Sequence, residues 1–374
     1  MRSANGPNRL RRRLLHLAGG LIPTAPPAAA TPRRILLIRP DHIGDVLLTS
    51  PAVAHLRQTL PAAEITYLVG PWSVDVARRG PAVDRIETLR FPGFTRQPKR
   101  NALEPYLLLF RAGRQLRTRR YDRAYVFRPD HWWGALLALV AGIPRRIGFD
   151  TPETRPLLSQ ALPLVHGEHA VQQALRLVGS RCQGQASVFR LEPADHAWAE
   201  QQVGFEHRPV VVVQPSAGAA LKSWPIERWA RVADGLNAAG RAVVLCGGPA
   251  DASLLQAICG TMRSRPAAIL HGQSVAESAA VYARSTVLIG LDGGAAHLAA
   301  AVGTPTVRLY GPADPDVFGP WPASASQRVL ITHALACVPC GHLVAPPCAA
   351  ATLPACLLAL GPDDVLEAAL EIAR

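Results

Sequence analysis

The sequence predicts an α/β protein built from two doubly wound domains in tandem. Its 374 residues are too many for one ordinary core and suit two. Apolar residues make up 49% and charged residues 18%, which excludes a disordered chain, and no stretch approaches the roughly 18 apolar residues of a membrane-spanning helix. Buried-strand runs and helical patterns alternate twice along the chain, as in parallel sheets covered on both faces.

The first domain is predicted over residues 33–185. The run 34–39 is continuously apolar between its terminal arginines, which indicates a strand buried on both faces. Further strands are predicted at 65–69, 84–89, 122–127 and 146–149, the last of which ends the sheet. Helices are predicted at 45–60, from 72, at 103–119 and at 132–141.

The second domain is predicted over 209–374 and follows a linker, 186–208, that lacks a clear strand. Pro225 suits a helix start, where its missing N–H has no partner to lose. Strands are predicted at 209–214, 241–246, 267–270, 286–289 and 306–310, and helices at 225–239, 252–259, 275–284, 295–302 and 363–373. Two such domains are expected to face each other across a cleft at the carboxyl ends of their strands, where ligands bind.

Positive charge is concentrated in the first half of the chain. Residues 1–190 contain 29 Lys and Arg against 12 Asp and Glu, whereas residues 191–374 contain 11 against 15. The excess predicts an anionic partner (nucleic acid, an anionic membrane surface or a phosphorylated substrate), and the alternative is solvated surface arginine. Nucleic acid is disfavoured because the basic run 111–123 contains only Tyr121 for base stacking.

Residues 1–32 are predicted to precede the fold as a basic, Pro/Ala-rich tail. Four arginines from Arg9 to Arg13 come before a short apolar run, 14–22. Three interpretations remain open: a signal peptide, a basic amphipathic segment lying on anionic lipid, and a tail without a role.

Two acids and a histidine follow the first strand within five residues. Asp41, His42, Gly44 and Asp45 stand at the turn from this strand into a helix. Gly44 permits a tight turn or the close approach of a ligand. The Asp45 carboxylate either caps this helix, as a favourable charge at its start, or faces the cleft as a general base.

A glycine pair follows the strand at 286–289. Gly293 and Gly294 precede a helix, whose N-terminus favours a phosphate or diphosphate; the alternative is a plain glycine-rich turn. Asp292 is expected to hold a ribose hydroxyl or brace the loop. His297, one turn into the helix, is expected to face either the ligand or the core.

Lys222 is one of two lysines in the chain and lies on the loop after the strand that ends at Gln214. In an arginine-rich protein, a single lysine on such a loop indicates a compact phosphate-binding charge. The alternative is an ordinary surface lysine. Ser216 and Gly218 lie on the same loop and are predicted to bind the same ligand.

Seven cysteines do not indicate a disulfide scaffold in a chain this long. Cys337, Cys340, Cys348 and Cys356 cluster late, a spacing compatible with zinc but with only one tight pair. We therefore predict no metal site and keep these four cysteines as a weak candidate.

Taken together, these motifs resemble glycosyltransferase family 9, the bacterial heptosyltransferases of lipopolysaccharide core assembly. The resemblance extends from about Arg33 to the C-terminus and rests on 35–52, on the Lys222-x-Trp-Pro loop, on 292–300, and on 303–306 with 309–315. It implies a GT-B fold, with an acceptor-binding first domain and a second domain that binds ADP-L-glycero-D-manno-heptose. It also implies inversion at the anomeric carbon, with neither a catalytic metal nor a cofactor.

The resemblance also implies roles for single residues. Asp45 matches the family's proposed catalytic base, while Lys222 and the N–H groups after Asp292 would stabilise the leaving ADP. Asp251 is a weaker candidate for the ribose. The implied donor-binding residues are Ser216, Gly218, Lys222, Asp251, Asp292, Gly293, Gly294 and His297, and the implied acceptor-binding residues are Asp41, His42 and Gly44. Ser223 departs from the family, in which an arginine is common at this position.

The implied acceptor is an anionic lipid A–Kdo glycolipid, which suits the positive first half. The chain is therefore expected in the cytoplasm, peripheral on the cytoplasmic face of the inner membrane, with no nucleic-acid partner. The alternatives are a GT-B transferase with another nucleotide sugar and another glycolipid or glycoprotein acceptor, a nucleotide-sugar epimerase, and a nucleic-acid-binding protein.

Overall fold

The structure is a computed structural model and describes residues 31–95, 101, 103–180, 184–204, 208–344 and 346–373. Predictions about residues 1–30 of the tail lie outside the described residues. The chain folds into two compact units, one of residues up to 42 and 49–183, the other of 43–48 and 184 onward.

The first unit contains a six-stranded parallel sheet. Its strands are β1 (Arg34–Arg39), β2 (Glu64–Val69), β3 (Arg85–Thr88), β4 (Arg123–Val126), β5 (Arg145–Asp150) and β6 (Gln160–Pro163). Their order, β3-β2-β1-β4-β5-β6, reverses direction between β1 and β4. In open α/β sheets, ligands bind beside such a reversal, at the carboxyl ends of the strands.

Helices follow the strands of this sheet and cover it. They are α1 (Ile43–Thr59), whose first six residues group with the second unit, α2 (Val74–Arg79), α3 (Glu104–Arg117), α4 (Trp132–Val140) and α5 (Ala170–Leu177). Leu109 and Leu116 of α3 share one buried cluster with Leu36 of β1 and Trp133 of α4. Burial of side chains of this size contributes about 1.5–3 kcal/mol each, so α3 and α4 are held firmly on the sheet.

The prediction that 146–149 ends the first sheet is wrong, because β6 pairs with β5. Gln160 lies opposite Ile147, and Leu162 lies opposite Phe149. The strand is only four residues long, is incompletely buried and ends at a proline, which cannot donate a ladder hydrogen bond. A short edge strand of this kind has no apolar run to mark it in the sequence. The other five strands of this half are confirmed.

The second unit repeats the same sheet. Its strands are β7 (Val210–Gln214), β8 (Ala242–Gly247), β9 (Ala268–His271), β10 (Val287–Leu291), β11 (Thr306–Leu309) and β12 (Gln327–Leu330). The order β12-β11-β10-β7-β8-β9 reverses between β7 and β10. Every residue of β7, β8 and β10 is buried, which explains why these strands read as unbroken apolar runs.

The helices of the second unit are α6 (Pro193–Gln202), α7 (Ile226–Ala238), α8 (Ala252–Thr261), α9 (Val275–Ala283), α10 (Gly294–Ala301), α11 (Pro315–Phe318), α12 (Ala355–Leu358) and α13 (Pro362–Ile372). The Trp229 ring of α7 is fully buried and packs edge-on against Trp224, with ring centroids 4.8 Å apart. Across both units, none of the helices in the described ranges is long and apolar enough to cross a membrane.

Two segments of the second unit differ from the sequence-based expectation. The range 186–208, expected to be a linker, contains α6 and belongs to the second unit. The helix begins with a carboxylate cap, in which Asp195 Oδ2 accepts the Glu192 N–H at 2.7 Å. Strand β12 extends the sheet beyond 306–310, with Gln327 opposite Thr306. None of its four residues is buried, so the segment has no apolar run that would predict a strand.

Candidate functional site

Three loops of the second unit meet at the carboxyl ends of its central strands. The loop after β7 carries Ser216 and Lys222, the loop after β8 carries Asp251, and the loop after β10 carries Asp292. Side-chain contacts join Ser216 to Asp251 and Lys222 to Asp292, across 35 and 70 positions of sequence. The structure thus brings these predicted donor-binding residues together where the strand order reverses.

Lys222 and Asp292 form a largely buried ion pair. Lys222 Nζ donates to Asp292 Oδ2, and the two side chains are 16% and 6% exposed. The Asp292 N–H donates to the Leu309 carbonyl at 3.1 Å, which fixes this loop to β11. Lys222 is therefore not an ordinary surface lysine, because its ammonium is held by Asp292, the residue directly before Gly293 and Gly294.

The start of α10 offers N–H groups to an anion. Gly293 is the N-cap residue and has no side chain with which to satisfy the free N–H groups of the first turn. A Cβ built on Gly293 would make only ordinary contacts, 3.8 Å to the Leu291 carbonyl oxygen and 3.9 Å to Ala217 Cβ. Packing does not demand glycine at position 293, so the missing side chain leaves room there for a phosphate. Gly294 is more closely packed, because a Cβ added to it would lie 3.3 Å from Ile43 Cβ.

A chain of hydrogen bonds fixes Asp251. Its Oδ2 accepts Ser216 Oγ at 2.6 Å and the Gly248 N–H at 2.7 Å. Ser216 Oγ accepts Gln214 Nε2 at 2.9 Å, and Gln214 Oε1 accepts the Tyr282 hydroxyl at 3.2 Å. The carboxylate that was predicted to hold a ribose is therefore oriented by neighbouring loops before any ligand arrives.

A buried thiol ends this chain. Cys246 Sγ lies 3.6 Å from the Tyr282 hydroxyl and accepts Gln273 Nε2 at 3.1 Å. Burial raises the pKa of Cys246 to about 11, so the thiol stays protonated and acts as a packing and hydrogen-bonding group, not as a nucleophile.

His297 faces the interior of the second unit. The ring is buried, and its Nδ1 lies 3.4 Å from Nη1 of Arg308, a fully buried residue of β11. The guanidinium also donates to Thr306 Oγ1 at 2.9 Å and to Gln327 Oε1 at 3.0 Å. Burial lowers the pKa of Arg308 below its ordinary value. The contact with Arg308 fixes the His297 ring inside the second unit.

Gly218 is exposed on the loop after β7. A Cβ added there would meet no heavy atom within 4 Å. The protein around it leaves space for a ligand, but its role in donor binding stays a prediction.

Asp41, in the first unit, lies in a buried charge cluster after β1. Its Oδ2 is 3.1 Å from Arg39 Nε, and its Oδ1 accepts Arg128 Nη1. Burial raises the pKa of Asp41, but the charges of Arg39 and Arg128 outweigh this effect and hold it below the ordinary value. Asp41 therefore stays ionised and orients two arginines; contact with an acceptor stays a prediction.

His131 lies beside this cluster in an aromatic environment. Its ring centroid is 5.4 Å from that of Phe91 and 5.6 Å from that of Phe94. Burial lowers the pKa of His131 to about 3, so the imidazole is neutral at physiological pH. The predicted acceptor residue His42 is instead exposed, with its ring 5.2 Å from that of Trp72.

Asp45 is the third residue of α1 and is half-buried, one position after Gly44. The N-cap residue of the helix is His42, so Asp45 does not occupy the N-cap position. Its carboxylate lies in the first turn of α1, where a negative charge interacts favourably with the helix dipole.

The late cysteines border one small cavity in the second unit. Cys337, Cys340, Cys348 and Cys356 line it together with Leu221 and several prolines. Within the described ranges, no three His, Cys, Asp or Glu residues are grouped as metal ligands. The geometry therefore gives the weak metal candidate no support.

Comparison with known proteins decides the family. Residues 109–344, more than half of the chain, match the family described as "Glycosyltransferase family 9 (heptosyltransferase)". The chain belongs to this family. As a family 9 transferase, it is an enzyme that transfers glycosyl groups, and the resemblance drawn from its motifs is confirmed.

Two curated relatives of the transferase are named as lipopolysaccharide heptosyltransferases. It is 27% identical over 293 residues to "Lipopolysaccharide heptosyltransferase 3" of Escherichia coli, covering 74% of this chain and 83% of the relative. It is 28% identical over 325 residues to "Lipopolysaccharide heptosyltransferase 2" of E. coli strain K12, covering 79% and 87%. The heptosyltransferase class predicted from the motifs is thereby supported.

The fold of the transferase is similar to that of solved family members. The structure entitled "E. coli ADP-heptose lps heptosyltransferase II" matches with a TM-score of 0.73 and 24% identity, covering 91% of this chain and 98% of that one. A family 9 protein of Veillonella parvula matches with a TM-score of 0.76 and 22% identity, covering 91% and 97%. With two doubly wound units, the predicted GT-B class is confirmed.

Several residues of the transferase's sites escaped the sequence analysis. Arg128, Gln214 and Arg308 each contact a predicted residue through their side chains, and Tyr282 contacts Gln214. Gln214 is the last residue of the buried strand β7, and Arg308 lies within the buried strand β11. A polar residue in a buried strand was a usable signal. Tyr282 carried no such signal, because an aromatic residue in an apolar helix is expected to be core.

Replacement of Ser216 by alanine should weaken ADP binding about tenfold. The variant removes one of two donors to Asp251, and hydrogen bonds to charged groups contribute about 1.5–3 kcal/mol. Calorimetric titration with ADP measures the effect. Thr261→Ala is the control, since Thr261 Oγ1 donates to the Ala257 carbonyl within α8, away from the donor-site loops. Unchanged ADP affinity in Ser216→Ala would mean that the Ser216 hydroxyl does not contribute to nucleotide binding, either directly or by orienting Asp251.

Proposed function

We propose that this transferase moves heptose from ADP-L-glycero-D-manno-heptose to a lipid A–Kdo acceptor of the lipopolysaccharide core, with inversion at the anomeric carbon. One observation carries the donor part: the Lys222 ammonium is held by Asp292, directly before the Gly293 N-cap of α10. An ammonium and a helix N-terminus together suit a diphosphate. The name of a solved relative, an ADP-heptose heptosyltransferase, supports ADP as the nucleotide.

The proposed reaction is a single displacement. Asp45 takes the proton from the acceptor hydroxyl as its oxygen forms a bond to the anomeric carbon. The bond from that carbon to the terminal phosphate oxygen breaks, and ADP leaves with the electron pair. Lys222 and the N–H groups of the α10 start stabilise the charge that develops on the diphosphate. In this scheme the protein supplies all of the positive charge, so no metal is required.

The nucleoside half of the donor is assigned to the loops after β7 and β8. Asp251 is oriented by Ser216 and Gly248, and an oriented carboxylate is suited to accept ribose hydroxyls. Gly218 lies two residues after Ser216, and a Cβ added there would meet no heavy atom within 4 Å, which leaves space for the nucleoside. We infer that these loops bind the nucleoside while α10 binds the diphosphate.

The acceptor is assigned to the first unit. Arg128, whose side chain is 37% exposed, is fixed on Asp41 at the carboxyl end of the sheet, and an exposed arginine suits carboxylates and phosphates. A lipid A–Kdo glycolipid carries both groups. Because such acceptors are made on the cytoplasmic leaflet, we place the enzyme peripherally on that face of the inner membrane.

A direct assay tests the proposed function. Purified protein is incubated with a lipid A–Kdo acceptor and, separately, ADP-heptose, a UDP-sugar or a GDP-sugar, and the products are analysed by mass spectrometry and NMR. We expect a heptosylated acceptor from ADP-heptose alone, with inverted anomeric configuration. Transfer from another nucleotide sugar, retention of configuration, or conversion of the free donor without acceptor would each contradict the proposal.

A further inference from the structure

Helix α3 presents an apolar face to solvent. Leu103, the residue before the helix, is 68% exposed, and Tyr106, Leu107 and Phe110 are 44%, 67% and 57% exposed. Their spacing of three and four residues puts them on one side of the helix. Single exposed apolar residues are ordinary on protein surfaces, but four adjacent large ones are not.

The opposite face of α3 is fully used by the fold. Leu109, Ala112 and Leu116 are buried in the first-unit core, and a Cβ added to Gly113 would lie 2.6 Å from Val140 Cγ1 of α4. The helix therefore cannot roll to bury its outer residues, because its inner side already packs closely. The apolar face is a fixed feature of the surface.

Positive charge follows the apolar residues on the same helix. Arg111, Arg114 and Arg117 are all exposed, and the sole carboxylate of α3 is Glu104 at its start. The outer surface thus passes from large apolar side chains to arginines along the helix. This distribution is typical of helices that lie in the interface of an anionic bilayer.

We propose that residues 103–117 form a membrane-docking surface for an anionic lipid bilayer. Leu103, Tyr106, Leu107 and Phe110 enter the boundary between headgroups and acyl chains, while the arginines contact lipid phosphates. Charge complementarity favours lipid over a second copy of the chain, which would bring three further arginines to the same face. The inference extends the proposed function, whose acceptor is a lipid, but does not depend on the sugar transferred.

The test measures partition of the full-length chain onto vesicles. Vesicles of phosphatidylcholine with phosphatidylglycerol are compared with vesicles of phosphatidylcholine alone, by sedimentation. The variant Leu107→Glu/Phe110→Glu should bind the anionic vesicles at least about tenfold more weakly, because it removes two apolar side chains from the lipid boundary. Both positions are exposed, so folding should be unaffected, which circular dichroism checks.

Matched variants separate the helix face from general charge. Val165→Glu/Val344→Glu adds the same two charges at valines that are 48% and 71% exposed and should partition like the unchanged chain. Arg111→Gln/Arg114→Gln should lose most of its preference for anionic over zwitterionic vesicles. Equal partition of the α3 glutamate variant and the unchanged chain would overturn the proposal, and would assign lipid binding to another part of the chain.

Two further readouts keep this inference distinct from the proposed function. Transfer to a short, water-soluble acceptor should be the same in the α3 glutamate variant and the unchanged chain, so loss of lipid binding alone does not bear on the sugar transferred. Light scattering should give the same mass for both. A smaller mass for the variant, with unchanged vesicle binding, would show that the face pairs two copies and would contradict lipid docking.

Discussion

Asp45→Asn should lower kcat by about 10²–10⁴-fold while leaving the affinity for ADP unchanged. The amide cannot take a proton from the acceptor hydroxyl, whereas the nucleotide is assigned to residues that the substitution does not touch. Rate measurements with saturating donor give kcat, and calorimetry gives the ADP affinity. Loss of both together would indicate instead that Asp45 supports the fold of the donor site.

Asp75→Asn is the matched control for this prediction. Asp75 also stands in the first turn of a helix, α2, where its carboxylate pairs weakly with Arg78 at 3.9 Å. A carboxylate at a helix start contributes about 0.3–1 kcal/mol to stability, and both variants should lose this contribution. Only Asp45→Asn should lose turnover. If its kcat stays within a few-fold of that of Asp75→Asn, Asp45 is a helix-start charge and no general base.

Lys222→Met should slow transfer by about 10²–10³-fold and weaken ADP binding, since the leaving diphosphate loses its ammonium partner. The variant also leaves Asp292 buried without its cation, a loss that typically costs about 2–5 kcal/mol. Chemical denaturation measures the loss of stability. Steady-state kinetics measures the transfer rate, and calorimetry measures the affinity for ADP.

The double variant Lys222→Met/Asp292→Asn separates the two effects of Lys222. Removing the second charge relieves the uncompensated carboxylate, so stability should return towards that of the unchanged protein. Affinity for ADP should stay low, because the ammonium is still missing. Recovery of ADP affinity along with stability would mean that Lys222 serves only the fold, and that the start of α10 is the main phosphate contact.

The sequence predicted the strands that are buried on both faces. β7, β8 and β10 are unbroken apolar runs because helices cover both sides of each sheet. Edge position alone does not explain why β6 and β12 were missed, because the edge strands β3 and β9 were predicted. β6 ends at a proline, and β12 has a polar half and no buried residue, so neither segment has the composition of a strand.

The donor site was predicted better than the acceptor site. Lys222 and Asp292 each stood out by type and position, so only their pairing awaited the structure. Arg128, by contrast, is joined to Asp41 across 87 positions of sequence, and one arginine among 29 basic residues of the first half carried no distinguishing mark. Such pairs depend on the strand order, which brings the ends of β1 and β4 side by side.

The exposed arginines of α3 and the buried charges of the second unit should respond differently to ionic strength, because they differ in burial. At physiological salt, exposed charges are screened beyond about 8 Å, and Arg111, Arg114 and Arg117 are all exposed. Arg308 is fully buried and the Lys222 pair largely so, so mobile ions weaken their fields much less. Rising salt would therefore detach the chain from lipid before it lost its nucleotide, leaving a loaded enzyme out of reach of a membrane-bound acceptor.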